Sequence, residues 1–317
     1  MEFEQAEEDE TTALATKPIS SRWTGIKDYL LSSEYANISR PMPTTIAPLD
    51  EMLGGGFTGG VWSLMAAPGA GKSAFAVILA LWGALNGRKT AIVSLEMPAS
   101  QVIWRCTSAF AKMMERDHER PLTPFRWSDV RKMRLAAIEQ EEHGEPPKLT
   151  AFEQAAEALD RAVAPYLFIT DDETAHNASD LIGVIVDAYQ MGCSLVVIDY
   201  LQQVRPDGKA DTMFEQSREV MSLIKNVANS LDVAVLLIVS ANRQGVKSKE
   251  LTMHDGSGGA FIEYDSVGVM TLQTVEDEST SELRVVRLKL HKNRNGVAGK
   301  SVDLFYRPEF NMFAVKE

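Results

Sequence analysis

Apolar residues recur along this chain in two alternating rhythms. Short unbroken runs, VWSLMA (61–66), TAIVSL (90–95), YLFIT (166–170), SLVVID (194–199) and AVLLIVS (234–240), read as strands. Between them lie stretches patterned for helices: SAFAVILALWGALNG (73–87), a long polar helical region after residue 95, ASDLIGVIVDAYQMG (178–192) and FEQSREVMSLIKNVANSLD (214–232). Strands that are apolar throughout are buried on both faces. The pattern therefore predicts an α/β fold, a mostly parallel sheet with helices on both faces. The rhythm changes near the C-terminus, where Val286, Leu288 and Leu290 alternate with Arg287, Lys289 and His291 in LRVVRLKLH (283–291). That is a half-exposed strand, and VDLFY and NMFAV after it predict a finish in antiparallel strands and a hairpin. Ahead of the first strand, RPMPTTIAPLDEMLGGGFTGG (40–60) reads as turns that build no regular structure. EQEEHGEPPK (139–148) reads as a solvated surface insertion, and no internal repeat is visible.

Composition refines this picture. A chain of 317 residues with 45% hydrophobic content can bury a large core. It divides into residues 1–40, an acidic tail with a short amphipathic piece (WTGIKDYLL, 23–31), and one core domain over 41–317. No apolar run is long enough to cross a bilayer, and MEFEQAEEDE is not a basic-then-apolar leader, so the expectation is a cytoplasmic protein with no membrane partner. Cys106 and Cys193 sit among apolar neighbours and read as buried, reduced thiols, and the five histidines lack metal-ligand spacing. The formal net charge of −12 argues against a protein that coats nucleic acid with its whole surface, but not against a local DNA path. Charge is segregated: residues 1–10 carry six acids, whereas 283–301 holds Arg284, Arg287, Lys289, Lys292, Arg294 and Lys300 and no acid.

The junction at 66–74 carries the chemistry. Ala66-Ala67-Pro68-Gly69-Ala70-Gly71-Lys72-Ser73 fits a P-loop with Ala in place of the first Gly, set between a strand and a helix. Backbone N–H groups in such a loop wrap phosphates, the Lys reaches the terminal ones and the hydroxyl holds Mg²⁺. Ala67, Pro68, Gly69, Ala70, Gly71, Lys72, Ser73 and Ala74 are therefore the expected ATP cradle. Phosphoryl transfer also needs a carboxylate for the metal and a group to orient the attacking water. Asp199 ends SLVVID and suits the first task; Glu96 follows TAIVSL and suits the second. Strand ends at one edge of a parallel sheet converge, so Lys72, Glu96 and Asp199 are expected to meet.

Several segments, taken in order, carry a family resemblance. TTIAPLDEMLGGGFTGGVWSLMAAPGAGKS, IVSLEMPASQVIWR, LVVIDYLQQV, SREVMSLIKNVA, GSGGAFIEYDS and LHKNRNGVAGKSVDLFY resemble the consecutive motifs of the DnaB-type replicative helicases, within the RecA-like ATPases, over roughly residues 40–315. The resemblance implies a self-assembled ring, a homohexamer, with ATP sites between subunits. It implies Glu96 as the water-activating residue, Ser73 and Asp199 on Mg²⁺, and Lys292 and Arg294 reaching into the neighbour's site, Arg294 as the finger. It implies single-stranded DNA in the ring and a primase or helicase loader as partner. The loops 203–214 and 242–259 would line the hole, offering Arg205, Lys209, Arg243, Lys247 and Lys249 to phosphates. Acids at Asp207, Asp211, Glu250 and Asp255 nearly cancel those bases.

The chain departs from the family in three places. Only residues 1–40 precede the core, as in the short helicases of plasmids and phages that lack a separate N-terminal domain. Val239-Ser240-Ala241-Asn242-Arg243 stands where the family usually has a pattern like Ser-Gln-Leu-Asn-Arg, and extra residues lie between Glu96 and YLFIT. The sequence thus predicts an ATP-hydrolysing DNA helicase. The alternatives are a RecA-like ATPase with a signalling, loading or recombination role and no unwinding, and a module that holds ATP as a structural ligand. Glu96, Asp199 and Arg294 speak against the last, because a binder needs neither water activation nor a finger.

Overall fold

The computed structural model describes residues 41–142, 150–171, 175, 177–207, 212–242, 245, 251–256 and 260–316. Nine strands form one sheet: β1 (Gly60–Ala66), β2 (Thr90–Ser94), β3 (Leu167–Asp171), β4 (Leu195–Asp199), β5 (Ala234–Ser240), β6 (Gly268–Thr274), β7 (Arg284–Asn293), β8 (Ser301–Arg307) and β9 (Met312–Val315). Their order across the sheet is β3-β2-β4-β5-β1-β6-β7-β8-β9. Every pair from β3 to β6 is parallel, and the pairs from β6 to β9 are antiparallel. The predicted parallel sheet with an antiparallel finish is the fold observed.

Alternate residues of the central strands feed two cores, as a strand's period of two requires. Trp62, Leu64, Leu195 and Val197 pack on one face with helices α1 (Ala47–Leu53), α2 (Lys72–Leu85), α3 (Ala99–Met113) and α5 (Ala151–Val163). Val61, Met65, Val196 and Ile198 pack on the other with α6 (Ala178–Gln190), α7 (Met213–Leu231) and α8 (Ala260–Asp265). In β7, Val286, Leu288 and Leu290 are buried while Arg287 is exposed, the alternation read from the sequence. The polar region after residue 95 resolves into α3, α4 (Val130–Glu142) and α5. It closes a small core of its own, with Ala111, Phe125, Val130 and Ala155 at the centre and Phe125 edge-on to Phe152 at 5.9 Å. Residues 139–142, the start of the expected surface insertion, are the end of α4; 143–149 lie outside the described residues.

Two expectations need correction. The Pro/Gly-rich stretch does build structure, because Pro48 sits in the first turn of α1, where its missing N–H costs nothing, and Gly54 ends the helix at φ +77°. The second correction is β6, which falls outside the strands read from the apolar runs. It lies between β1 and β7, and Val269, Met270 and Leu272 are fully buried. It opens on Gly268, which weakens the strand signal and has a packing reason. A Cβ there would lie 2.2 Å from Cζ3 of Trp62, a fully buried ring. Gly268→Ala is therefore expected to destabilise the protein by about 1–3 kcal/mol, the usual cost of overpacking, read as a lower urea midpoint with an unchanged slope.

Candidate active site

The C-terminal ends of the parallel strands form one edge of the sheet, and the residues singled out in the sequence gather there. Register pairs Ser94 of β2 with Asp199 of β4, and Ala66 of β1 with Ser240 of β5. The P-loop follows Ala66, turns through Gly69 (φ +79°) and Gly71 (φ +96°), and enters α2 at Lys72. Both glycines hold a left-handed backbone that other residues adopt only with strain. Gly71 is also closely approached by the Tyr306 ring of β8: a Cβ would lie 2.8 Å from its Cε1. Tyr306 in turn stacks on Phe313, ring centroids 4.3 Å apart, so the loop rests on a rigid aromatic floor.

Asp199 is 2% exposed, and neither of its carboxylate oxygens has a hydrogen bond of good geometry among the described residues. Burial pushes its carboxyl above the usual carboxylate range; the adjacent Ser73 hydroxyl, Lys72 and Arg105 pull it back, and the charge of Glu96 pushes it up. Lys72 holds its ammonium 5.6 Å from the centre of the Tyr200 ring. Lys72, Ser73, Glu96 and Asp199 are therefore brought together. A buried carboxylate left without partners is costly unless a cation completes it. Beside a serine hydroxyl, the oxygen-only donor set fits Mg²⁺, which favours carboxylate, hydroxyl and water ligands.

A cleft of about 1200 Å³ opens beside the loop, between Ala67–Ala70 and the β6–β7 connection, with Gln273, Glu276, Thr280 and Arg284 among its lining residues. Arg284 Nη1 donates to the carbonyl of Gly69 at 2.8 Å. Neither Arg284 nor Arg105 was singled out as a site residue from the sequence. Arg105 was visible within IVSLEMPASQVIWR; Arg284 carries no motif.

Lys292 and Arg294 lie elsewhere. Register pairs Asn293, the last residue of β7, with Gly268, the first of β6, whereas Leu272 of β6 pairs with Ala66 beside the P-loop. The far end of β7 is thus at the opposite sheet edge from the chain's own P-loop. Lys292 Nζ donates to the backbone carbonyls of Glu263 and, at 2.9 Å, Ser266. Burial, then the charge of Arg294, lowers its pKa. Arg294 is exposed and donates from Nη2 to the Tyr264 carbonyl at 3.2 Å. The connection to β8 spans 294–300, longer than a two-residue Asn-Gly turn.

Of the candidate DNA-contacting bases, Arg205 is exposed and its carbonyl accepts from Ala178 N at the start of α6. Asp207, two residues on, accepts from the Ser179 backbone and hydroxyl. Lys209, Arg243, Lys247 and Lys249 lie outside the described residues. Ala241 is buried and donates its N–H to Ala66 O at 3.0 Å. Both thiols are free and buried, and burial pushes Cys106 up to about 12 and Cys193 up to about 11. No described helix is long and apolar enough to cross a membrane.

Residues 41–315 match the sequence profile of the DnaB-like helicase C-terminal domain. Among curated proteins, the chain is 26% identical over 317 residues to the replicative DNA helicase DnaC of Bacillus subtilis (strain 168), covering 95% of this chain and 64% of that protein. It is 27% identical over 256 residues to the replicative DNA helicase DnaB of Pasteurella multocida (strain Pm70), covering 78% of this chain and 50% of that one. The chain therefore spans about half to two thirds of the length of these relatives. A solved DnaB-like replicative helicase, described with its interactions with primase, superposes with a TM-score of 0.70 at 20% identity, over 95% of this chain and 67% of that one. That likeness establishes the RecA-like fold.

Proposed function

On the premise that this chain belongs to the DnaB-like helicase family, which its match over 41–315 shows, we propose that it is an ATP-driven, ring-forming helicase motor that moves on single-stranded DNA during replication. One observation carries the reading. Lys72, Ser73, Glu96 and Asp199 lie at one edge of the sheet and Arg294 at the other, which supports reading them as two halves of an ATPase site. Two such halves make a whole only when copies meet head to tail, and a head-to-tail contact that closes makes a ring.

In this site the P-loop N–H groups cradle the phosphates and Lys72 reaches the terminal ones. Ser73 and Asp199 would hold Mg²⁺, which would offset charge on the phosphates. Glu96 orients the attacking water, while Arg294 of the adjacent copy spreads charge from the transferring oxygens. Lys292, anchored on α8, fixes the turn from which Arg294 leaves. Arg205, Lys209, Arg243, Lys247 and Lys249 would meet DNA phosphates without reading sequence. A homohexamer and a primase or helicase-loader partner follow from family membership and belong to the same proposal.

The test is ATP hydrolysis with and without single-stranded DNA, alongside strand separation on a labelled forked duplex. Stimulation by DNA together with unwinding is expected. Hydrolysis that ignores DNA and leaves the fork intact would favour a RecA-like ATPase with a loading or regulatory role, a reading that the missing Gln in residues 239–243 keeps in play. Lys72→Ala provides the control on the cradle. It is expected to lose the rise in melting temperature that Mg-ATP gives the parent, with its own melting unchanged, because this lysine serves the ligand and not the core. An undiminished shift would remove Lys72 from the site.

A further inference from the structure

Arg105 of α3 follows Glu96 by nine residues and is joined through Asn311 to Ala74, next to Ser73, and the charges of Asp199 and Glu96 act on it. Three features describe its guanidinium. The Trp127 ring lies 4.1 Å from Cζ. Nη1 donates to Asn311 Oδ1 at 3.4 Å. Nε is buried with no acceptor among the described residues. Its location is thus set by a ring, an amide and neighbouring charges.

Ring and amide are themselves anchored. Trp127 Nε1 donates to Pro308 O at 3.0 Å, and Arg126 pairs with Glu309 at 2.9 Å. Asn311 is fully buried in a left-handed backbone (φ +53°), and its Nδ2 donates to Ala74 O at 3.3 Å, next to Ser73 in the first turn of α2. Trp127 comes from the stretch between Glu96 and β3 where this chain carries its extra residues.

We propose that Trp127 is a positioning residue for ATP hydrolysis, its ring and the Asn311 amide together holding the Arg105 guanidinium beside Glu96 and Asp199. An indole face attracts a flat guanidinium, and the stack fixes its plane as a lysine ammonium would not be fixed. Held there, the positive charge offsets repulsion between two carboxylates that must both face one triphosphate. The inference rests on Glu96 and Asp199 being the site carboxylates.

The test is steady-state ATPase kinetics of the full chain, with direct binding of a fluorescent ATP analogue. Trp127→Ala is expected to lower kcat about tenfold, the rate equivalent of a partly desolvated cation–π contact, and to leave KM and analogue binding within about twofold. Trp127→Phe keeps a ring but loses the bond to Pro308, and should recover most of the parental kcat. In an Arg105→Ala background, Trp127→Ala should add nothing, because the ring acts only through that guanidinium. Parental kcat in Trp127→Ala, a Phe variant as slow as the Ala variant, or an undiminished effect in the Arg105→Ala background would each overturn the proposal. If Trp127→Ala does not fold, Arg105→Lys tests the same point: it keeps charge without the flat stack, and a parental kcat there overturns it. Failure of the underlying reading looks different, since Glu96→Gln would then hydrolyse ATP at the parental rate.

Discussion

Arg294→Ala is expected to lower ATP turnover by about 10³–10⁵-fold, the range for losing an arginine finger, while nucleotide binding and assembly persist. The register of the sheet supports a target on another copy. Arg294 follows β7 at the edge where β6 begins, and the P-loop follows β1 at the edge where β6 ends. The seven residues of β6 separate those edges by about 20 Å at the usual strand rise, well beyond an arginine's reach. The hydrogen bond from Arg294 to Tyr264 O ties up one donor of an exposed guanidinium and leaves it free to turn outward. Mixing separates action in trans from a structural role. Arg294→Ala and Lys72→Ala proteins, each inactive alone, should regain some turnover when co-assembled, because certain interfaces then pair an intact P-loop with an intact finger. Verified mixed assemblies without recovery would count against the finger, and an Arg294→Ala protein as fast as its parent would end the idea.

Glu96→Gln is expected to keep ATP and lose hydrolysis by about 10²–10⁴-fold, the usual contribution of a positioned general base. The amide fills the volume of the carboxylate but cannot take a proton. Glu96 lies two residues past Ser94, the register partner of Asp199, and Leu95 N donates to Asp199 O at 2.7 Å, so the two carboxylates leave neighbouring strand ends. Glu96 is exposed where Asp199 is buried, which suits a group that meets water and a group that meets a cation. Single-turnover hydrolysis with filter binding of labelled ATP measures both quantities. Near-parental hydrolysis would remove Glu96 from the chemistry.

The P-loop and the strands that flank it were legible because their signals are local. A continuous apolar run, a small-residue turn and Lys72-Ser73 occupy consecutive positions, and parallel packing then forces Glu96 and Asp199 to the same edge. What escaped the sequence depends on partners far away along the chain. Gly268 looks like a break in β6 until Trp62 is seen against it. Pro48 and Gly54 look like turn residues until they are found at the two ends of α1. Arg105 was in view, but its stacking on Trp127 and its bond to Asn311 join α3 to two remote segments that no spacing rule connects. Arg284 is ordinary in an alternating strand, and only the fold brings it to Gly69.

That last contact gives β7 a dimension as well as a place. Its first residue touches the P-loop and its last precedes Arg294, ten residues whose ends lie about 30 Å apart at the usual rise. On the proposed head-to-tail assembly, with Arg294 as the finger, the strand would be a ruler that sets the pitch from one nucleotide to the next in backbone length. Lengthening it takes insertions into β7: a pair keeps Val286, Leu288 and Leu290 inward, and a single residue does so only as a bulge, like the register shift opposite Val269 and Met270.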